Sequence, residues 1–347
     1  MNNYINQKIL GFFVKTNGVF SKPLFSGIGH ILCFHRVKPK SSTVRIEKNS
    51  GMEASPEFIE KTIEFFKDHN YEFISLDQLH TLLINKTKPQ KKFVVFTLDD
   101  GYSDNYYHAY PVFKKHNIPF TIYVATDFPE RKAILWWYML ENLLLNKNQM
   151  EFVFLNKEYL FDCSTKEKKE EVFMKIRSLI LENEIKKEEL FRLLFPDYEQ
   201  KKTELIEQNA LSWKQIIELS IDELVTIGAH TVSHQPLSIL DESEARKEIE
   251  KSKKLIEEKI NKPVNHFAYP YGGFDTCGER EFLLVKQAGY KTATTIRQGN
   301  IFSGYKDFTE RLPRIPLGEN TDIEKFINIT NGIHHFGNNY FNRIILK

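Results

Sequence analysis

Cysteine is scarce in this 347-residue chain: Cys33, Cys163 and Cys277 are far apart and odd in number. That excludes a disulfide framework and a paired CxxC zinc site, and buried thiols in a reducing compartment are expected. An excess of one charge is also missing. Lys and Arg number 48 against 46 Asp and Glu, a formal charge of +2, which leaves no electrostatic footprint for nucleic acid. Long hydrophobic runs are absent too. The longest near the N-terminus, Ile9 to Val14, is cut by Lys15 and is too short for a signal-peptide core or a bilayer span. These absences predict a cytoplasmic protein with at most peripheral membrane association. The aromatic, mildly basic segment 1–26 is expected to form a terminal helix packed on the domain. Oligomeric state is not legible.

What is present suits a globular core: 41% hydrophobic and 27% charged residues. The apolar run Gly27 to Phe34 reads as a buried strand with His35 at its C-terminal end. Ser55-Pro56-Glu57 starts a helix, with an N-cap serine, a proline at the first helical position and an acid in the first turn. Tyr71 to Leu76 is a strand. Phe93 to Leu98 is nearly all apolar, as a strand covered on both faces should be, and Asp99-Asp100-Gly101 ends it. A helix over Asn105–His116 and a strand over Ile118–Ala125 follow. Such alternation predicts an α/β fold with parallel strands. From 131 to 211 the texture changes to an amphipathic helix from Trp136, a hairpin (Glu151 to Phe161) and a charged helical stretch, read as an insertion forming a lid or substrate wall. The alternation then resumes, with Ser212-Trp213 opening a helix, a strand ending at Ala229-His230, a long helix over Asp241–Ile260, and the turn Pro270-Tyr271-Gly272. The domain plan is thus a helical segment 1–26, a barrel 27–318 carrying the insertion 131–211, and a peripheral helical tail 319–347 with His334 and His335 at its surface.

Three polar sites follow apolar strands: His35, Asp99-Asp100 and His230. Carboxyl ends of parallel strands share one face, so residues remote in sequence converge there. His230 and His234, at i and i+4, can face one metal ion if the segment is helical or tightly turned. With 11 His in 347 residues a chance pair at this spacing is expected in about a third of such chains, so the pair alone is weak. Adjacent carboxylates repel unless one is protonated or meets a cation. A metal would resolve this, one aspartate ligating and the other taking a proton. A turn or helix cap is the plain alternative.

The stretch Phe96-Thr97-Leu98-Asp99-Asp100-Gly101-Tyr102 resembles the first signature of the polysaccharide deacetylase family, the NodB-homology group of carbohydrate esterases. His230-Thr231-Val232-Ser233-His234 is similar to its second signature and Pro270-Tyr271-Gly272 to its third, in the same order and with agreeing spacing. The resemblance spans roughly residues 28–317. It implies a distorted (β/α)7-type barrel. It also implies Asp99 as general base, and Asp100, His230 and His234 around a divalent metal, zinc before others, with a metal-activated water attacking the N-acetyl carbonyl. Tyr271, through its backbone N–H and beside Pro270 and Gly272, would hold the oxyanion. Ala268 stands where many members have an arginine, and Arg314 resembles a basic position that could replace it. No late Leu-x-His motif is evident; Phe34-His35-Arg36-Val37 resembles the first-strand histidine pattern of exported poly-N-acetylglucosamine deacetylases, which implies His35 as acid or site-orienting residue. Tyr102, Tyr271, Trp136 and Trp137 are candidates for stacking on a sugar. The expected activity is N-deacetylation of a glycan precursor, lipid-linked or nucleotide-linked. The alternatives are an N-formyl sugar deformylase on the same scaffold and a non-catalytic glycan-binding barrel.

Overall fold

The computed structural model describes residues 2–183 and 186–346. Eight strands make the main sheet: β1 (Gly29–Phe34), β2 (Glu72–Phe73), β3 (Phe93–Leu98), β4 (Phe120–Val124), β5 (Val225–Ala229), β6 (His266–Ala268), β7 (Thr292–Thr294) and β8 (Ile315–Pro316). All their pairings are parallel. The order is β7-β6-β5-β4-β3-β1-β8, with β2 beside the first half of β3. The two edges meet through the segment that ends in β8. Leu312 donates to Ala293 at 2.8 Å and accepts from Thr295 at 2.9 Å, and Ile315 pairs with Leu32 of β1. Seven strands therefore curl into a distorted barrel, the α/β architecture the resemblance implied.

Strand residues alternate between two cores. Leu32, Phe34, Val94, Phe96 and Leu98 point outward beneath the helices. Ile31, Phe93, Val95 and Tyr123 pack together with Ala268 and Leu312 inside the ring. Cys33, His35, Thr97 and Asp99 continue the inward parity, which aims them into the barrel mouth.

The helices that matter below are α1 (Asn2–Lys15), α2 (Pro56–Asp68), α3 (Trp136–Leu145), α4 (Lys166–Glu182), α5 (Trp213–Ile221), α6 (Glu242–Ile260), α7 (Ile323–Thr330) and α8 (Ile333–Asn339). α2 begins where Ser55 accepts the N–H of Phe58, and α5 begins with a capping box of Ser212 and Gln215. Four local expectations change. The strand foreseen over Tyr71–Leu76 shortens to β2. The helix over Asn105–His116 opens as a π-turn through Ala109, because Pro111 has no N–H for the carbonyl four residues back. The tail is not peripheral, since Phe326 and Ile329 of α7 sit in the main core. His335 is not a surface residue: it is fully buried, accepts the Asn300 N–H at Nδ1 (3.0 Å) and donates from Nε2 to the Asn342 carbonyl (2.8 Å). His334, beside it, is half-buried.

Residues 131–211 build a second core around Trp136, Leu140, Phe152, Phe173, Ile176 and Phe191, joined by Ile46 from the loop after β1. Arg131 pins the neck by donating to the Ala210 and Leu211 carbonyls, each at 3.1 Å. Arg45 ties the β1 loop to α3 with bidentate bonds to Glu53 (2.8 and 3.0 Å) and Glu141 (2.8 and 2.9 Å). Among the described residues no helix is long and apolar enough to cross a membrane.

Candidate active site

Register brings the polar strand ends together. Phe34 lies opposite Leu98, so His35 and Asp99 leave neighbouring strands side by side, and Asp99 N–H donates to the Phe34 carbonyl at 3.0 Å. Val124 lies opposite Ala229, and His230 N–H donates to Val124 at 2.9 Å. Ala229 pairs with Phe267, which sets the Pro270–Gly272 turn beside the histidines.

Asp100, His230 and His234 converge. Nε2 of His230 is 3.4 Å and Nε2 of His234 3.2 Å from Asp100 Oδ1, and that buried oxygen has no hydrogen-bond partner. His230 Nδ1 is 2.7 Å from the Ala268 carbonyl, so Nδ1 carries the proton and Nε2 presents a lone pair to the carboxylate. Two acceptors facing each other call for a cation between them, and ligand atoms of all three residues lie within 4.8 Å of one another. Burial opposes charge on Asp100, but His234 and His230 outweigh it and hold the carboxyl well below its ordinary value. His230 moves oppositely. Burial lowers it, and the adjoining Asp100 carboxylate with the Asp99 charge brings it above its ordinary value. The donor set and the orphaned oxygen fit a divalent cation.

The histidine segment is a turn, not a helix. Thr231 (φ +64°) and His234 (φ +59°) are left-handed, as are Asp100 (φ +75°) and Tyr271 (φ +60°), so backbone strain collects around this cluster. Glu248 of α6 holds the turn by accepting from the N–H groups of Val232 (2.8 Å) and Ser233 (2.9 Å) and from the Ser233 hydroxyl (3.0 Å). Gly272 (φ +54°) cannot be replaced, since a Cβ there would lie 2.8 Å from the Ile296 nitrogen.

Asp99 is held by Arg314, whose guanidinium gives 2.6 and 2.7 Å bonds to the two carboxylate oxygens and also bonds Thr97 Oγ1 and the Thr295 carbonyl. Both residues are almost wholly buried. Burial would raise the Asp99 pKa, but Arg314, His230 and His35 together bring it below the ordinary value. Cys33 Sγ lies 3.6 Å from Asp99 Oδ2, and burial keeps this thiol neutral. His35 Nε2 is 3.9 Å from the same oxygen, its Nδ1 is unpartnered, and burial lowers its pKa.

His35, Asp99, Asp100, His230, His234 and Tyr271 line one cavity of about 360 Å3, within the range of small-ligand sites. Trp137 approaches His234 (ring centroids 6.4 Å), whereas Trp136 is buried against Phe191. Tyr102 reaches the cavity but is packed, with Arg36 over its ring at 4.8 Å and Phe128 against its edge, so it supports the wall instead of offering a stacking face. Sequence reasoning missed Glu248, Cys33 and the insertion side chains Phe173 and Arg177, the latter over the Tyr271 ring at 5.9 Å. No local motif marks them.

The chain is similar to known proteins in sequence and in fold. The family model for polysaccharide deacetylase matches residues 86–177 and 194–293. YxkH of Bacillus subtilis (strain 168), a candidate polysaccharide deacetylase, is 34% identical over 94 residues, 27% of this chain and 30% of that protein. The match therefore spans less than a third of that relative's length. The Streptococcus pyogenes deacetylase PplD in complex with acetate superposes with a TM-score of 0.57 at 18% identity, covering 87% of this chain and 97% of that one. A de-N-acetylase from Aggregatibacter actinomycetemcomitans gives 0.57 at 15% identity (87% and 99%), and IcaB from Ammonifex degensii 0.54 at 17% (88% and 97%). At these identities the structures are alike in fold.

Proposed function

Because this chain belongs to the polysaccharide deacetylase family, we propose that it hydrolyses an N-acetyl group on a carbohydrate in a metal-dependent reaction. The observation that carries this reading is the Asp100 oxygen facing the Nε2 atoms of two histidines without a hydrogen-bond partner, directly beside an aspartate held ionised by Arg314.

Asp100, His230 and His234 would hold the cation, zinc by the donor set. When bound, it would supply Lewis-acid polarisation of the amide carbonyl and acidify a water molecule. Asp99 takes the proton of the attacking water, and Arg314 keeps it charged and aimed for that step. Tyr271, in the strained turn between Pro270 and Gly272, directs its backbone N–H at the developing oxyanion. His35, neutral at rest and 3.9 Å from Asp99, passes the proton to the sugar nitrogen as the C–N bond breaks, giving acetate and a free amine. Trp137, Phe173 and Arg177 form the wall against which the sugar is bound.

The test is release of acetate and formate from a panel of N-acetylated and N-formylated sugar nucleotides and glycan oligomers. Acetate release supports the reading. Formate alone would reassign the protein as a deformylase, and metal binding without release from any member would favour a glycan-binding barrel.

A further inference from the structure

The two ends of the chain pack on each other and present a face that the catalytic cavity does not use. Phe13, Phe25, Ile333 and Phe336 form a small buried core, with Phe13 and Phe336 rings 5.0 Å apart. Their sequence neighbours point the other way. Phe12 is 49% exposed, Phe20 53%, Val19 68% and Phe341 61%, and Ile5 and Leu24 are exposed as well. Ile5, Lys8, Phe12 and Lys15 follow one another at helical spacing on the outer stripe of α1, and the Phe12 ring leans on Phe20 at 5.3 Å.

The chain segments that build this apolar face carry charge of one sign. Residues 1–46 contain no Asp or Glu, and neither do residues 325–347, although the chain carries 46 acids in all. Lys8, Lys15, Lys22 and Arg343 accompany the exposed rings. The acids Asp322 and Glu324 share a cleft with Leu10 and Val14, each two positions from Phe12 and so on the opposite side of α1.

We propose that this face docks on an anionic lipid bilayer, the aromatic and aliphatic side chains entering the interface and the lysines meeting lipid phosphates. A second copy of the chain is a poorer occupant, because it would bring the same cations face to face. The docking surface lies at the N-terminal ends of the strands. Asn300 donates to the Phe25 carbonyl at 2.8 Å and Ile28 N–H to the Ile301 carbonyl at 2.7 Å, immediately before β1 begins. His35 and Asp99 are at the other ends of β1 and β3, so the docked protein holds its catalytic cavity toward the water.

The proposal is independent of the hydrolase reading and is tested without it, by co-sedimentation of the full chain with vesicles of phosphatidylcholine, with and without phosphatidylglycerol, at low and high salt. Binding is expected only with phosphatidylglycerol and is expected to weaken with salt. Phe12→Ser with Phe20→Ser, and separately Lys15→Glu with Lys22→Glu, should each reduce partitioning about tenfold or more while the melting temperature is kept. Absence of vesicle binding, equal binding to both vesicle types, or serine variants that dissociate an oligomer yet bind vesicles as before would overturn it.

Discussion

Arg314 grips both carboxylate oxygens of Asp99, at 2.6 and 2.7 Å, across 215 residues of sequence and inside a fully buried barrel mouth. Arg314→Met would leave a buried carboxylate without its main counter-charge. Desolvation would then raise the Asp99 pKa, and the acid limb of the pH profile of kcat/KM should move to higher pH. Activity at neutral pH should fall about 100-fold or more, and unfolding free energy by about 3 kcal/mol. Arg314→Lys should restore part of the charge effect but not the forked geometry. An unchanged profile in Arg314→Met would remove the arginine from the site's chemistry.

Glu248 touches no reacting group, yet it fixes the turn between His230 and His234. Glu248→Gln should weaken zinc affinity about tenfold to 100-fold, as loss of a supporting bond does. His234→Ala should abolish tight binding. Competition with a chromophoric chelator measures both, and equal affinity in Glu248→Gln would contradict the role.

Much of this site could be read before any fold was known, because parallel strands deliver their C-terminal residues to one face. His35, Asp99, Asp100 and His230 follow apolar runs, and that alone groups them. Arg314 was harder: its strand is two residues long and becomes visible only as the piece that joins the barrel's edges. The histidine pair allowed a helix or a turn, and the choice depended on Glu248, supplied by a helix 15 residues on. Nothing local separates Trp136 from Trp137. Both border the cavity, but the packing of α3 buries Trp136 against Phe191 and leaves Trp137 beside His234. His335 lies in the tail and so reads as a surface residue, but that tail packs on the domain and Phe25 and Asn300 cover the ring.

That buried cluster makes acid stability measurable. Burial first, only partly offset by hydrogen bonding, lowers His30 to about 3 and His335 to about 4. His30 Nδ1 gives its proton to Asn300 Oδ1, whereas His335 Nδ1 accepts the Asn300 N–H and cannot add a proton without losing that bond. The unfolded chain binds these protons near pH 6.5, so stability is full above that value. It declines as pH falls toward about 4, by up to about 1.4 kcal/mol per pH unit for each histidine. Thermal melts from pH 7.5 to 5 should show the decline, and a flat curve would contradict it.

Arg177 reaches the cavity from α4 and packs over Tyr271. Arg177→Ala should raise KM several-fold and leave kcat within about twofold if the insertion only binds the sugar. A fall in kcat at constant KM would instead tie α4 to the position of the Tyr271 turn.

The most direct test of the central claim is a zinc titration of the metal-stripped protein beside Asp99→Asn, following both metal binding and acetate release on a substrate the wild type accepts. The account predicts equal zinc affinity in the two proteins, release in the wild type that rises with zinc occupancy, and release about 1,000-fold slower in Asp99→Asn. Release that persists without metal, or an Asp99→Asn protein as fast as the wild type, would contradict it.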